Sequence, residues 1–153
     1  MNHCQAFIKS FLDQLALLRN QLNIIQSFWK VITPATPKRF GLAKDAKVTL
    51  EAIGSLYNLT RERIRQIENS AIVKIRKHEE FAKYTSSLRD VIDNLLAEHG
   101  GIMEHGYLID NLSYLSLLAN SEQKINNEIL KNHYSFILAK LLADEFDYVK
   151  ANG

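Results

Sequence analysis

Apolar positions along the chain recur at steps of three and four, the spacing of one face of an α-helix. Phe7, Phe11, Leu15, Leu18, Leu22 and Ile25 set the first block, over residues 5–32, and Phe28, Trp29 and Ile32 extend it. Thr33-Pro34 and Thr36-Pro37 hold the only two prolines. They close the block, because a residue before proline is driven out of the helical region. Leu50, Ile53 and Leu56 or Tyr57 predict a short helix, and Ile64, Ile67, Ala71 and Ile75 a longer one. A helix starting at Ser86 follows from Leu88, Val91, Ile92, Leu95 and Leu96, and Gly100-Gly101 stops it. Leu108, Ile109, Leu112 and Leu115 predict another, ended near Asn120. Ser121 is placed to cap one running through Ile125 and Ile129, and Phe136, Ile137, Leu141 and Leu142 define the last. Only Phe146-Asp147-Tyr148-Val149 alternates as a strand does. The fold class this predicts is all-α.

Val48 to His78, VTLEAIGSLYNLTRERIRQIENSAIVKIRKH, carries more detail than the rest. Thr49 is an N-cap residue, and Glu51 stands in the first turn, where the helix dipole favours negative charge. Asn58 tolerates the left-handed conformation that ends a helix, Leu59 is expected to plug the turn, and Thr60 caps the next helix. Opposite that helix's apolar stripe fall Arg61, Glu62, Arg65, Gln66 and Asn69. Two helices joined this tightly, the second presenting long polar side chains, make a helix-turn-helix suited to a major groove. Arg pairs with guanine O6 and N7, Gln with adenine, and Glu accepts from cytosine N4. An amphipathic surface helix with a solvated charged face shows the same periodicity.

The residues themselves resemble region 4 of bacterial primary sigma factors, whose TLEEIG…TRERIRQIE…LRKLR pattern binds the minus-35 promoter element. Here Thr49 to Gly54 read TLEAIG, Thr60 to Glu68 read TRERIRQIE without departure, and Val73 to Lys77 read VKIRK. Arg39 to Leu42, RFGL, looks like the run joining the two halves of that region. By this resemblance Arg61, Glu62, Arg65 and Gln66 read bases. Thr49, Leu50 and Glu51 then touch the DNA backbone at the start of the first helix. Thr60, Arg63, Lys74, Arg76 and Lys77, with Lys38 and Arg39 in the loop before the motif, are assigned to backbone positioning. Residues 5–32 take the place of the first half of region 4, which in the family docks on the β flap of RNA polymerase. The family's acidic and arginine residues are not clearly reproduced in Leu18 to Leu22. The later helices and the strand loosely resemble a winged helix, with no hairpin partner for the strand before Gly153.

Charge divides the chain. Residues 1–84 carry 14 Lys and Arg against 7 Asp and Glu, a net of +7, and residues 85–153 carry 5 against 10, a net of −5. The basic part suits a polyanion and the acidic part is repelled by one. The expected division is therefore a DNA-binding domain over 1–84 and an acidic, winged-helix-like domain over 85–153. The second is expected to contact a protein or associate with itself. Its candidate recognition helix offers only Lys131 and Lys140.

No unbroken apolar run reaches membrane-spanning length and no signal-like start is present, so a cytoplasmic, nucleoid-associated protein of bacterial or phage origin is expected. Cys4 is the only cysteine, which fits a reducing compartment. The histidines lack metal-ligand spacing and no phosphate loop or paired catalytic carboxylates stand out, so neither a cofactor nor a metal nor an enzyme activity is expected. The chain shows no region resembling the segment with which primary sigma factors melt the minus-10 element. The reading is a sequence-specific regulator or polymerase-associated sigma-like factor, or a fragment of one. The rival is an adaptor or anti-sigma-like protein that binds RNA polymerase or a sigma factor without reading DNA.

Overall fold

A computed structural model describes residues 35–42, 47–120 and 126–149. The helix expected over residues 5–32 lies outside them, and so do Ser121 and Ile125. Six α-helices are described: α1 Ala35–Phe40, α2 Leu50–Tyr57, α3 Arg61–Arg76, α4 Glu79–Glu98, α5 His105–Ala119 and α6 Asn127–Phe136. A single π-helical turn, Ile137–Leu141, continues α6. There is no strand among the described residues, and the all-α expectation holds.

Helix α1 stands where a loop was expected. Its proline sits in the first turn, where the missing N–H would have had no intrahelical partner. Gly41, at φ 64°, ends the helix in the left-handed region, and the Leu42 N–H donates to the Pro37 carbonyl at 2.9 Å. Helix α4 begins at Glu79 rather than at Ser86. It stops as expected at Gly100 and Gly101, both with positive φ. The Gly101 N–H donates to the Leu96 carbonyl at 2.7 Å and that of Gly100 to Ala97 at 3.4 Å, the pairing of a Schellman end.

Ile129 and the last apolar block share one element. Asn126 is the cap, its side chain accepting from the Glu128 and Ile129 amides, and the helix runs from there to Phe136. The Leu142 N–H then reaches back five residues to the Ile137 carbonyl at 2.8 Å. That wider turn, with the run on either side of it, puts Phe136, Ile137, Leu138, Leu141 and Leu142 in the core. The expected strand at 146–149 is irregular chain. Among the described residues it has no partner strand to share a ladder with, Phe146 packs on the core, and the Tyr148 ring lies 5.7 Å from that of His105. The expected wing is absent among the described residues.

One core unites most of the helices. It holds Leu42, Ala71, Ile75 and Phe81 together with Leu88, Val91, Ile92, Leu112, Leu130, Tyr134 and Leu142. Burying each large aliphatic contributes about 1.5–3 kcal/mol. Helix α4 passes through residues 84 and 85 without a break, so the division of charge is crossed by one helix and by one core. Between α5 and α6 the core carries a polar seam. The Ser116 hydroxyl bonds to the Tyr134 hydroxyl, and Asn120 donates to the Ser116 carbonyl at 2.9 Å. Burial pushes the Tyr134 phenol up to about 12, the hydrogen bond with Ser116 opposing the rise. A second, smaller cluster pairs Ile53 with Ile64 and is flanked by Val48, Leu50 and Ile67.

Candidate nucleic-acid interface

The smaller cluster is the inside of a helix-turn-helix. Thr49 caps α2 by accepting from the Ala52 N–H at 3.1 Å, and Thr60 caps α3 from Arg63 at 3.1 Å. Between them Asn58 takes the left-handed conformation, φ 57° and ψ 39°, which its short polar side chain tolerates. The Leu59 N–H donates to the Gly54 carbonyl at 2.8 Å. Leu59 itself is 41% exposed, as are Leu56 at 63% and Tyr57 at 41%, so none of the three plugs the turn. Gly54 governs its closeness instead. A Cβ there would stand 2.5 Å from the Leu59 carbonyl oxygen, so the turn needs the bare α-carbon.

Gly54→Ala therefore separates two effects. Helix propensity alone favours alanine by about 1 kcal/mol, whereas forcing an atom into a packed backbone costs about 1–3 kcal/mol. The clash is expected to win, seen as a lower urea midpoint. An unchanged or higher midpoint would show that the turn yields.

Helix α3 faces inward with Ile64, Ala71 and Ile75 and outward with Arg61, Glu62, Arg65, Gln66 and Asn69, all exposed. The outward groups pair among themselves. Arg65 donates from Nε to Glu62 Oε2 at 2.8 Å and from Nη2 to Oε1 at 2.7 Å. That hydrogen-bonded fork holds the Glu62 carboxyl below the usual carboxylate range and raises the Arg65 guanidinium further. It leaves the Nη1 donors of Arg65 for another acceptor. Arg63 donates to Gln66 Oε1 at 3.2 Å. That bond takes one of the two lone pairs of the Gln66 amide oxygen and does not use the amide hydrogens. Val73, 49% exposed on the same side, has no site role in the sequence reading because a valine reads as core; an apolar group there suits a thymine methyl.

The residues assigned to phosphate are spread more widely. Thr49, Glu51, Thr60, Arg63, Lys74 and Lys77 are exposed. Leu50 packs against the small cluster. The Val48 N–H donates to the Lys38 carbonyl at 3.0 Å, which brings Lys38 and Arg39, both half-buried, beside the start of α2. Arg39 donates to the Val48 carbonyl at 3.5 Å and lies 5.9 Å from the centre of the Phe40 ring. Arg76 is turned to the acidic half, donating to Asp144 Oδ2 and to the Lys140 carbonyl, each at 2.6 Å.

The lead-in to this unit is held from the far end of the chain. Asn132 donates to the Gly41 carbonyl at 3.1 Å. Burial depresses the imidazole of its neighbour His133 to about 4, the Leu42 backbone beside it opposing the fall. Among the described residues no three His, Cys, Asp or Glu side chains gather as a metal requires, and no helix is long and apolar enough to cross a membrane.

Residues 38–77 match the family described as Sigma-70, region 4. The chain is 58% identical over 38 residues to RNA polymerase sigma factor SigA1 of Synechococcus elongatus, covering 25% of this chain and 10% of that one. It is 55% identical over 73 residues to RNA polymerase sigma factor SigA of Nostoc sp., covering 42% and 17%. To SigA of Clostridium acetobutylicum it is 39% identical over 71 residues, covering 42% and 18%. The aligned segments thus span less than a fifth of the length of these curated relatives. No solved structure matches the chain. The resemblance carried by TLEAIG and TRERIRQIE is borne out over this segment.

Proposed function

From the sigma-70 region 4 match over residues 38–77, we propose that the protein is a DNA-binding, RNA polymerase-associated factor in transcription. It reads a minus-35-like promoter element by laying α3 in the major groove. The observation that carries this is the outward face of α3, where Arg61, Glu62, Arg65 and Gln66 stand exposed on a helix whose other side is buried. On docking, the Nη1 end of Arg65 serves a guanine, and the Gln66 amide, steadied by Arg63, an adenine. Glu62 holds the Arg65 fork or accepts from a cytosine. Thr49, Glu51, Thr60, Arg63, Lys74 and Lys77, with Lys38 and Arg39, set the position on the phosphates.

Function, in this reading, follows the charge division. Residues 1–84 face DNA, and their first apolar stretch, 5–32, is the candidate contact for the polymerase β flap. Residues 85–153, net −5, serve a protein partner or self-association. The rival reading, an adaptor that grips polymerase or a sigma factor and ignores DNA, is favoured by that acidic half.

Fluorescence anisotropy with a labelled minus-35-type duplex and a scrambled one, at two salt concentrations, separates them. The protein is expected to prefer the first, with an affinity that falls steeply as salt rises. Arg65→Ala should lower affinity for the preferred duplex roughly tenfold or more, because it also leaves the Glu62 carboxylate unpaired against the phosphates. Equal, weak binding to both duplexes, unmoved by the substitution, would overturn the DNA-reading role and leave the adaptor.

A further inference from the structure

Helical geometry puts Arg65, Asn69 and Arg76 on one stripe of α3, at spacings of four and seven. A duplex engaging the helix along that stripe reaches Arg76 last, where a phosphate contact is expected. Arg76 does not present a free guanidinium there. Its Nη1 is bonded to Asp144 and its Nη2 to the Lys140 carbonyl, partners 68 and 64 residues away along the chain. The turn that carries Asp144 follows the π-helical turn directly. It is anchored from a second side, since its next residue, Glu145, pairs with Arg89 of α4. Asp144 stays 80% exposed while bonded, so its negative charge stands in solvent at the end of the basic face.

We propose that this acidic turn is a built-in brake on DNA binding, in which Asp144 holds Arg76 off phosphate and sets a carboxylate beside the polyanion's path. The inference rests on α3 being the DNA-facing helix. An ion pair this exposed adds little to stability, in the range of surface pairs. Its consequence lies in counterions instead. Each phosphate neutralised adds about 0.9 to the slope of log K against log salt. Releasing Arg76 should add one such contact. The brake is therefore strongest at low salt and fades toward molar salt, where counterion release contributes nothing. Anything that draws the 143–146 turn away, such as a basic partner seated on the acidic half, would raise DNA affinity without touching the reading residues.

The test is a double-mutant cycle on the full chain: wild type, Asp144→Asn, Arg76→Ala and the double variant. Each is titrated with the matched and scrambled duplexes from low to high salt, with urea midpoints checked alongside. Asp144→Asn is expected to bind both duplexes about five- to tenfold tighter near 0.1 M salt and to steepen the slope by about one. When Arg76 is also alanine the steepening of the slope should vanish and the gain in affinity should shrink to what relief of the carboxylate's repulsion gives, and the preference for the matched duplex should stay as it was. If Asp144→Asn leaves affinity and slope unchanged while Arg65→Ala still abolishes the preference, the brake is wrong and the DNA-reading role stands. If neither wild type nor Asp144→Asn binds DNA at any salt, both are wrong.

Discussion

Ile53→Ala is expected to disable the helix-turn-helix while leaving the larger core folded. Ile53 is wholly buried, and its cluster is small: Ile64 opposite, with Val48, Leu50 and Ile67 at the margin. Removing three carbons from a packed site costs about 2–5 kcal/mol. A two-turn helix such as α2 depends on that cluster, because a helix this short is marginal without tertiary contacts. The loss therefore falls on a local opening rather than on the whole protein. Amide exchange should accelerate in α2 and at the start of α3 by roughly thirtyfold or more, since each 1.4 kcal/mol is tenfold. Protection in α4, α5 and α6 should change far less, and DNA preference should be lost with the orientation of α3. Equal loss of protection in all helices would show instead that the two clusters unfold as one.

The same arrangement explains what could be read from the chain and what could not. Thr49, Asn58 and Thr60 act where their types predict, because caps and left-handed turns are decided by one side chain and its own backbone. The stripe Ile64, Ala71, Ile75 was equally legible, since period sets facing in a helix of sixteen residues. Leu56, Tyr57 and Leu59 were misjudged because α2 meets α3 along one edge only. Ile53 takes that edge, and apolar character alone does not say which residues a neighbour will cover. Four alternating residues at 146–149 imitated a strand, yet a strand is defined by its partner. Asn126 and Ser121 are both good caps, and nothing local chooses between them.

Arg76 is the most telling case. Local pattern places it with Lys74 and Lys77 among phosphate contacts, whereas the fold pairs it with a carboxylate far along the sequence. The division at residue 84 was legible in charge and invisible in packing. Surface charge is a property of single positions, but Phe81 and Leu88 share a core across it only because α4 runs through.

Acid should weaken the protein through His133 before it weakens any exposed feature. The imidazole is buried on α6 beside the Leu42 backbone, and burial holds its pKa in the fold at about 4 against an ordinary 6.5. Below 6.5 the unfolded chain takes up a proton that the folded chain refuses until pH approaches 4. Between those values the unfolded state binds more protons, so stability falls as pH falls. The full interval of about 2.5 units corresponds to about 3 kcal/mol, at 1.36 kcal/mol per unit. Stability from this group is thus complete above pH 6.5, declines from there, and levels off near pH 4. Urea midpoints measured from pH 7.5 to 4 should trace that decline, and His133→Gln, which does not titrate, should flatten most of it whatever its stability at neutral pH. Helix α6 holds Gly41 and Leu42 through Asn132 and His133, so the N–H signals of residues 41–42 should shift over the same interval. A wild-type midpoint that stays level from pH 6.5 to 4.5 would show that water reaches the imidazole and that the helix-turn-helix is not anchored through a neutral histidine.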